Sequence, residues 1–493
     1  MTKERLSGIL LHPSALPGKY GIGALGQEAL RFVDFLHQAG QNLWQVLPMG
    51  HTGYGDSPYQ CFSIFAGNPI LIDIETLIDE GLVHHDDLPT GFDWLDHKVD
   101  YGNVINFKRE VLYEAYQVFM YSEPSNSGFQ TFVAKNDFWL HDYALFIAIK
   151  ESLGGKPWWE WPLKLKVKDE QAIETFDAEN ADEINFHKFV QYQFYRQWDK
   201  VKSYANSKDI KIVGDIPLYV AHDSADVWSK PQLFQFDEER NPTKVAGVPP
   251  DYFSSTGQLW GNPLYDWDYM KAHGFVWWLQ RIKSTTELYD LVRIDHFRGF
   301  EAYWAVPYGD ENAINGKWVE APGQELFETV KAQLGDLPII AEDLGIITPP
   351  VEKLRDDFGF PGMKILQFAF HSDEGDGYLP HNYIRNCVVY TGTHDNDTLR
   401  GWFDALEQDV QQRVLDYVDG DVNNVIQKMI RLAWSSVAQM AIIPLQDLLD
   451  LGSEARMNIP GTPGGNWQWR FTPDKLSHEK IQWLHQITKI YNR

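Results

Sequence analysis

Four acidic residues each follow a run too apolar to host a free charge cheaply. They are Asp215 in "IVGDIP", Asp295 in "LVRIDHFRG", Glu342 in "LPIIAEDLG", and Asp395, preceded by His394, in "VVYTGTHDND". A lone acid after such a run reads as a cap on the next helix. Four of them gathered in one place would repel one another, so they need a use. Converging carboxylates serve two chemistries. One is a divalent cation, for which Asp295, His296, His394 and Asp395 offer oxygen and imidazole donors. No HxH or HExxH spacing accompanies them, and Arg293 and Arg298 flank Asp295 and would compete with a cation for it. The other is glycosidic bond chemistry, where one carboxylate attacks or stabilises and a second, kept protonated, donates to the leaving oxygen. Basic neighbours favour an ionised Asp295, whereas "LPIIA" and the adjacent Asp343 would raise Glu342 toward a general acid.

The elements that must position these residues are short apolar runs ending in polar or glycine-rich residues. They lie at 7–18, 43–50, 209–220, 291–299, 337–345, 363–370, 387–397 and 437–449. Near-continuous Val/Ile/Leu runs of this length read as strands of a parallel sheet, buried on both faces. Helical patterns lie between several of them. Residues 23–40 set Leu30, Val33 and Leu36 on one face before Gly40, and 348–359 opens on Thr348 and two prolines and stops at Gly359. Eight such strands with helical crossovers predict an α/β fold, a (β/α)8 TIM barrel. A doubly wound open sheet competes, but no glycine-rich phosphate fingerprint follows the first strand. The spacing assigns 1–50 and 208–493 to the barrel, 51–207 to one or more inserted subdomains after strand 2, and 221–290 to an insert after strand 3. Inserts this long need structure of their own, and we expect them over the C-terminal mouth of the barrel, where active sites sit.

The 493-residue chain carries 43 basic and 69 acidic side chains, a formal charge of −26. That field argues against nucleic-acid or anionic-membrane partners and leaves neutral ligands open. Cys61 and Cys387 are too few for a disulfide framework or a thiolate metal site. No run is long enough to span a bilayer and the N-terminus lacks a signal-peptide pattern, so a cytoplasmic location is expected. The 19 Trp, 23 Tyr and 28 Phe suit a sugar-binding cleft, because flat apolar faces pack on pyranose rings. The better candidates are those set among Gly, Pro, Asn and Gln: Tyr54 and Tyr59, Tyr252 and Trp260, and Trp467.

Taken together, "LLHPSALPGKYGIG", "GDSPYQ", "GDIPLYVAHDSADVW", "PPDYFSSTGQLWGNPLYDW", "RIDHFRGF", "AEDLG", "PGMKILQFAF", "YTGTHDNDT" and "NIPGTPGGNWQWR" carry a resemblance. Over essentially its whole length the chain resembles glycoside hydrolase family 77, the amylomaltases or 4-alpha-glucanotransferases. The resemblance implies a retaining mechanism without metal or organic cofactor. It makes Asp295 the nucleophile, Glu342 the acid/base and Asp395 the third carboxylate, with His394 beside it. It has Arg293 orient Asp295 and Asp215 line the same subsite. It places Gln258 and Trp260 on the acceptor side, and Ser57, Tyr54, Tyr59 and Asn466 among the substrate-binding residues. It implies maltodextrins, amylose or glycogen fragments as partners, with glucose as an acceptor. The carboxylates alone do not separate such a transferase from an alpha-1,4-glucan hydrolase. A catalytically inert glucan-binding protein on the same fold would be marked by loss of Asp295 or Glu342, and both are present.

Overall fold

The eight apolar runs become the staves of one cylinder. The computed structural model describes residues 5–122, 126–250, 254–370, 377–462 and 464–493, and the side chain of Tyr54 and all of Tyr252 lie outside the described residues. Twelve strands occur among those residues. In chain order they are β1 (Leu6–Leu10), β2 (Leu43–Gln45), β3 (Lys211–Ile216), β4 (Lys244–Val248), β5 (Gln258–Pro263), β6 (Leu291–Ile294), β7 (Ala302–Pro307), β8 (Lys317–Glu320), β9 (Ile339–Ala341), β10 (Gly362–Ile365), β11 (Cys387–Tyr390) and β12 (Met440–Pro444).

Eight of them form a parallel sheet in the order β10-β11-β12-β1-β2-β3-β6-β9. The sheet curls into a (β/α)8 barrel. β11 and β12 are buried at every position, as strands covered by helices outside and side chains inside must be. Gly8 lets β1 approach β2, since a Cβ there would run into the Leu43 backbone. Between β9 and β10 the ring is closed differently. The Ala341 N–H donates to the Pro361 carbonyl at 2.9 Å, and Asp343 accepts the Met363 N–H at 2.7 Å.

The helix Gln27–Gln38 buries Val33 and Leu36 with Ala29, Phe32 and Phe35, while Leu30 is half-buried. Pro349–Asp357 starts at its prolines, but Thr348 makes no side-chain cap hydrogen bond. Residues 51–207 are largely helical, with Tyr101–Ser122, Asp137–Ser152 and Ala181–Ser207 packed together. The last of these runs back to the barrel, where Tyr204 donates to Asp34 at 2.7 Å and Trp198 to the Leu288 carbonyl at 3.0 Å. β4 and β5, from 221–290, pair with β7 and β8, which follow β6, in an antiparallel sheet ordered β5-β4-β7-β8. No helix among the described residues is long and apolar enough to cross a membrane.

Candidate active site

Asp295 is the first residue past β6, two positions after Arg293 and so directed to the same side, and the β3–β6 register sets Asp215 directly opposite Arg293. The guanidinium uses this arrangement fully. One nitrogen lies 2.6 Å from Asp215 Oδ2, another 2.7 Å from Asp295 Oδ1, and Arg293 and Asp215 are buried while Asp295 opens to the mouth. Tyr59 donates to Asp215 Oδ2 at 2.9 Å, which ties the loop after β2 to the same cluster. Burial opposes charge on Arg293, but Asp215 and Asp295 hold it firmly protonated. Arg298 turns away from Asp295. It stacks 3.7 Å from the Trp318 ring and donates to the Ile346 carbonyl, so one arginine rather than two faces Asp295.

Removing that arginine strands two carboxylates. Arg293→Gln is expected to cost about 3–5 kcal/mol of stability, read by urea unfolding. Arg293→Lys keeps the charge without the two-pronged geometry and should retain most of that stability while still losing turnover. Equal losses in both readouts for the two variants would contradict an orienting role.

Glu342 follows β9 and is 9% exposed. Burial, and then the charge of Asp295, push its carboxyl up to about 8. Asp343 is not the cause expected from its place in the sequence: it points the other way, bonded to Arg355 at 2.5 Å and to the Met363 N–H. Backbone N–H groups of His296 and Leu344 donate to the two Glu342 oxygens at 2.6 and 2.9 Å. His296 reaches its donor position through left-handed backbone, φ 52°, a conformation that a non-glycine residue adopts at a cost. Its ring lies edge-on to Trp260, with centroids 4.7 Å apart. Burial holds that imidazole neutral, lowered to about 3.

Asp395 lies in the loop after β11. Desolvation opposes its ionisation, but His394, 3.3 Å away, and Asn458, donating to Oδ1 at 2.6 Å, hold its carboxyl well below the usual carboxylate range. Arg456 donates to the Asp395 carbonyl at 2.7 Å, and the Asn458 N–H donates to the His394 carbonyl at 3.1 Å. His394 stacks on Tyr59 at 5.2 Å, with Trp467 5.8 Å from the same imidazole. Asp215, Arg293, Asp295, Glu342, His394, Asp395, Tyr59, Trp260 and Trp467 are thus linked directly or through one neighbour.

The other candidates sit further out. Gln258 accepts from the Trp260 indole at 3.2 Å, so it sets that ring. Ser57 accepts the Tyr59 N–H at 3.3 Å. Asn466 is half-buried and closes its own loop, accepting the Ile459 N–H and donating to Thr462. Sequence reasoning missed Asn458 and Arg456. "RMNIPG" has no apolar run or charge pattern to mark them, although Asn458 opens the matched stretch "NIPGTPGGNWQWR". Tyr219, buried with its hydroxyl unpartnered and 6.3 Å from the His296 ring, was missed as well.

Of the residues that could ligate a cation, Asp295 is engaged by Arg293 and the His296 ring packs on Trp260. A group of donor atoms within 4.8 Å of one another occurs elsewhere, at Glu151, Glu183 and His187 in the helical insert. There the Arg109 guanidinium stands 2.7 Å from both glutamates and already supplies the positive charge.

The sequence matches the family model of 4-alpha-glucanotransferases over residues 11–476. A 4-alpha-glucanotransferase of Synechocystis is 50% identical, aligning 100% of this chain with 99% of that protein. One from Thermus thermophilus is 49% identical over 100% of both. An amylomaltase from Streptococcus agalactiae, solved in complex with acarbose, superposes with a TM-score of 0.97 at 44% identity, covering 99% of this chain and 100% of that one. An amylomaltase from Corynebacterium glutamicum, 17% identical, shares the fold with a TM-score of 0.79 over 99% of this chain and 75% of its own.

Proposed function

The chain belongs to the 4-alpha-glucanotransferase family, and from that premise we propose how its own residues carry out the transfer. The reaction moves an alpha-1,4-glucan segment from a maltodextrin, amylose or glycogen fragment to the 4-hydroxyl of another glucan or of glucose. Asp295 attacks the anomeric carbon as Glu342 gives its proton to the glycosidic oxygen, and the reducing-end fragment leaves. Glu342, now ionised, takes the proton of the acceptor 4-hydroxyl, which displaces Asp295. Two inversions give retained configuration. Arg293 fixes the attacking carboxylate, and Asp395 with His394 holds hydroxyls of the distorted sugar. Trp260 and Gln258 flank the acceptor side.

The observation that carries this reading is the division of labour between two neighbouring carboxyls. Glu342, buried and held at about 8, is a proton donor at neutral pH, while Asp295 sits on an arginine. Hydrolysis would use the same pair with water as acceptor. Incubation with maltotriose separates the two outcomes. Transfer yields glucose and longer maltodextrins with little growth in total reducing ends, whereas steadily rising reducing ends would overturn the transferase assignment.

A further inference from the structure

We propose that Asp447 is a positioning residue for Asp395, acting by clamping both ends of the loop that carries it. The proposal rests on the function stated above. Asp447 lies in the helix Leu445–Leu449 directly after β12 and is 1% exposed. Its Oδ2 accepts the Thr391 hydroxyl at 2.5 Å, at the exit of β11, and its Oδ1 accepts the Leu399 N–H at 2.7 Å, at the start of the helix Leu399–Ala405. Residues 391–399 are therefore held at both ends by one carboxyl group, and His394 and Asp395 lie between.

Inside the clamp the loop has its own lattice. Asn396 accepts from the Thr393 N–H and hydroxyl at 2.8 and 3.0 Å, Gln367 donates to the Asp397 carbonyl at 2.8 Å, and Ser453 donates to the Asp397 carboxylate at 2.7 Å. These bonds shape the turn, whereas Asp447 sets where the turn stands over the barrel. An acid is a costly residue for that place. Burial pushes its carboxyl up to about 7, and the nearby charges of Asp397 and Asp450 act in the same direction. Well-packed apolar side chains serve mere stability at lower cost than a buried charge. What a carboxyl alone supplies here is two acceptors aimed at two donors eight positions apart in sequence.

The test is a double-mutant cycle on acarbose affinity, measured by calorimetry, alongside maltotriose turnover and thermal unfolding. Asp447→Asn keeps the shape of the side chain and loses one of the two acceptors. Acarbose affinity and kcat are expected to fall about tenfold in the wild-type background and not to fall further in Asp395→Asn, since both changes disable one device. Thr391→Val breaks the same clamp from the other side and should show the same dependence, which keeps the test available should Asp447→Asn not fold. Equal losses in both backgrounds would assign Asp447 to general stability, and unchanged affinity and kcat would remove it from the site; either overturns the proposal. Failure of the wild type to lengthen maltotriose would instead overturn the transferase reading, a separate outcome of the same series.

Discussion

Asp295→Ala is expected to lower transfer from maltotriose by about 10⁴-fold or more, the scale seen when an attacking side chain is deleted. The fold should survive, because Arg293 keeps Asp215 as a partner at 2.6 Å and Asp295 itself is partly open to solvent. Maltodextrin binding should survive as well, since Tyr59, Trp260 and Asp395 are untouched, so calorimetry with a non-turned-over glucan reads the two effects apart. In the wild type, a fluorinated glucosyl donor that slows the second displacement should leave a covalent adduct on the peptide carrying Asp295. Near-normal turnover by the variant, or an adduct on another carboxylate, would move the nucleophile elsewhere.

The second large effect is that of Glu342→Gln. Loss of a general acid lowers the rate by about 10²–10⁴-fold on a donor whose leaving group needs a proton. A glucosyl fluoride needs none, and the first displacement should largely recover with it; absence of recovery would count against the acid role. In the wild type, kcat/KM should decline as pH rises through about 8, where Glu342 loses its proton, and the variant should lack that limb. Stability follows with a definite sign. The folded value lies above the unfolded one of about 4.3, so the contribution of Glu342 is fully present below pH 4.3 and is lost as pH rises through 8. The glutamine variant, which does not titrate, should gain on the wild type as pH rises across that window. Urea titrations at pH 5 and pH 8.5 measure the difference.

The barrel was legible because parallel strands are buried on both faces, which writes them as unbroken Val/Ile/Leu runs such as those around Val388 and Ile442. The pairing of Arg293 with Asp295 was legible for a similarly local reason, since residues two apart on a strand share a face. Contacts made through the fold were not. Tyr59 reaches Asp215 across 156 positions and Asn458 reaches Asp395 across 63, and no periodicity encodes either. Sequence adjacency also misled. Arg298 and Asp343 stand beside the key acids in the chain, but the 3-10 turn after β6 swings Arg298 onto Trp318, and alternation past β9 sends Asp343 to Arg355. The small sheet was hidden because it joins two antiparallel pairs, β4 with β5 and β7 with β8, from segments on either side of β6, through a β4–β7 pairing that no local pattern encodes.

The join between β9 and β10 bears on how the cylinder breathes. Seven neighbouring pairs of staves are laced by regular ladders, whereas this one hangs on a main-chain bond and a side-chain stitch. Opening free energies differ from place to place in a folded chain, and the lowest lie where the fewest bonds must part together. In deuterium exchange the amide of Ala341, bonded across the join, should therefore lose protection before those of β11 and β12. Glu342 is the next residue in the chain. Early exchange there would mean that solvent first reaches the wall beside the proton donor, with the stitch from Asp343 expected to make such openings rarer.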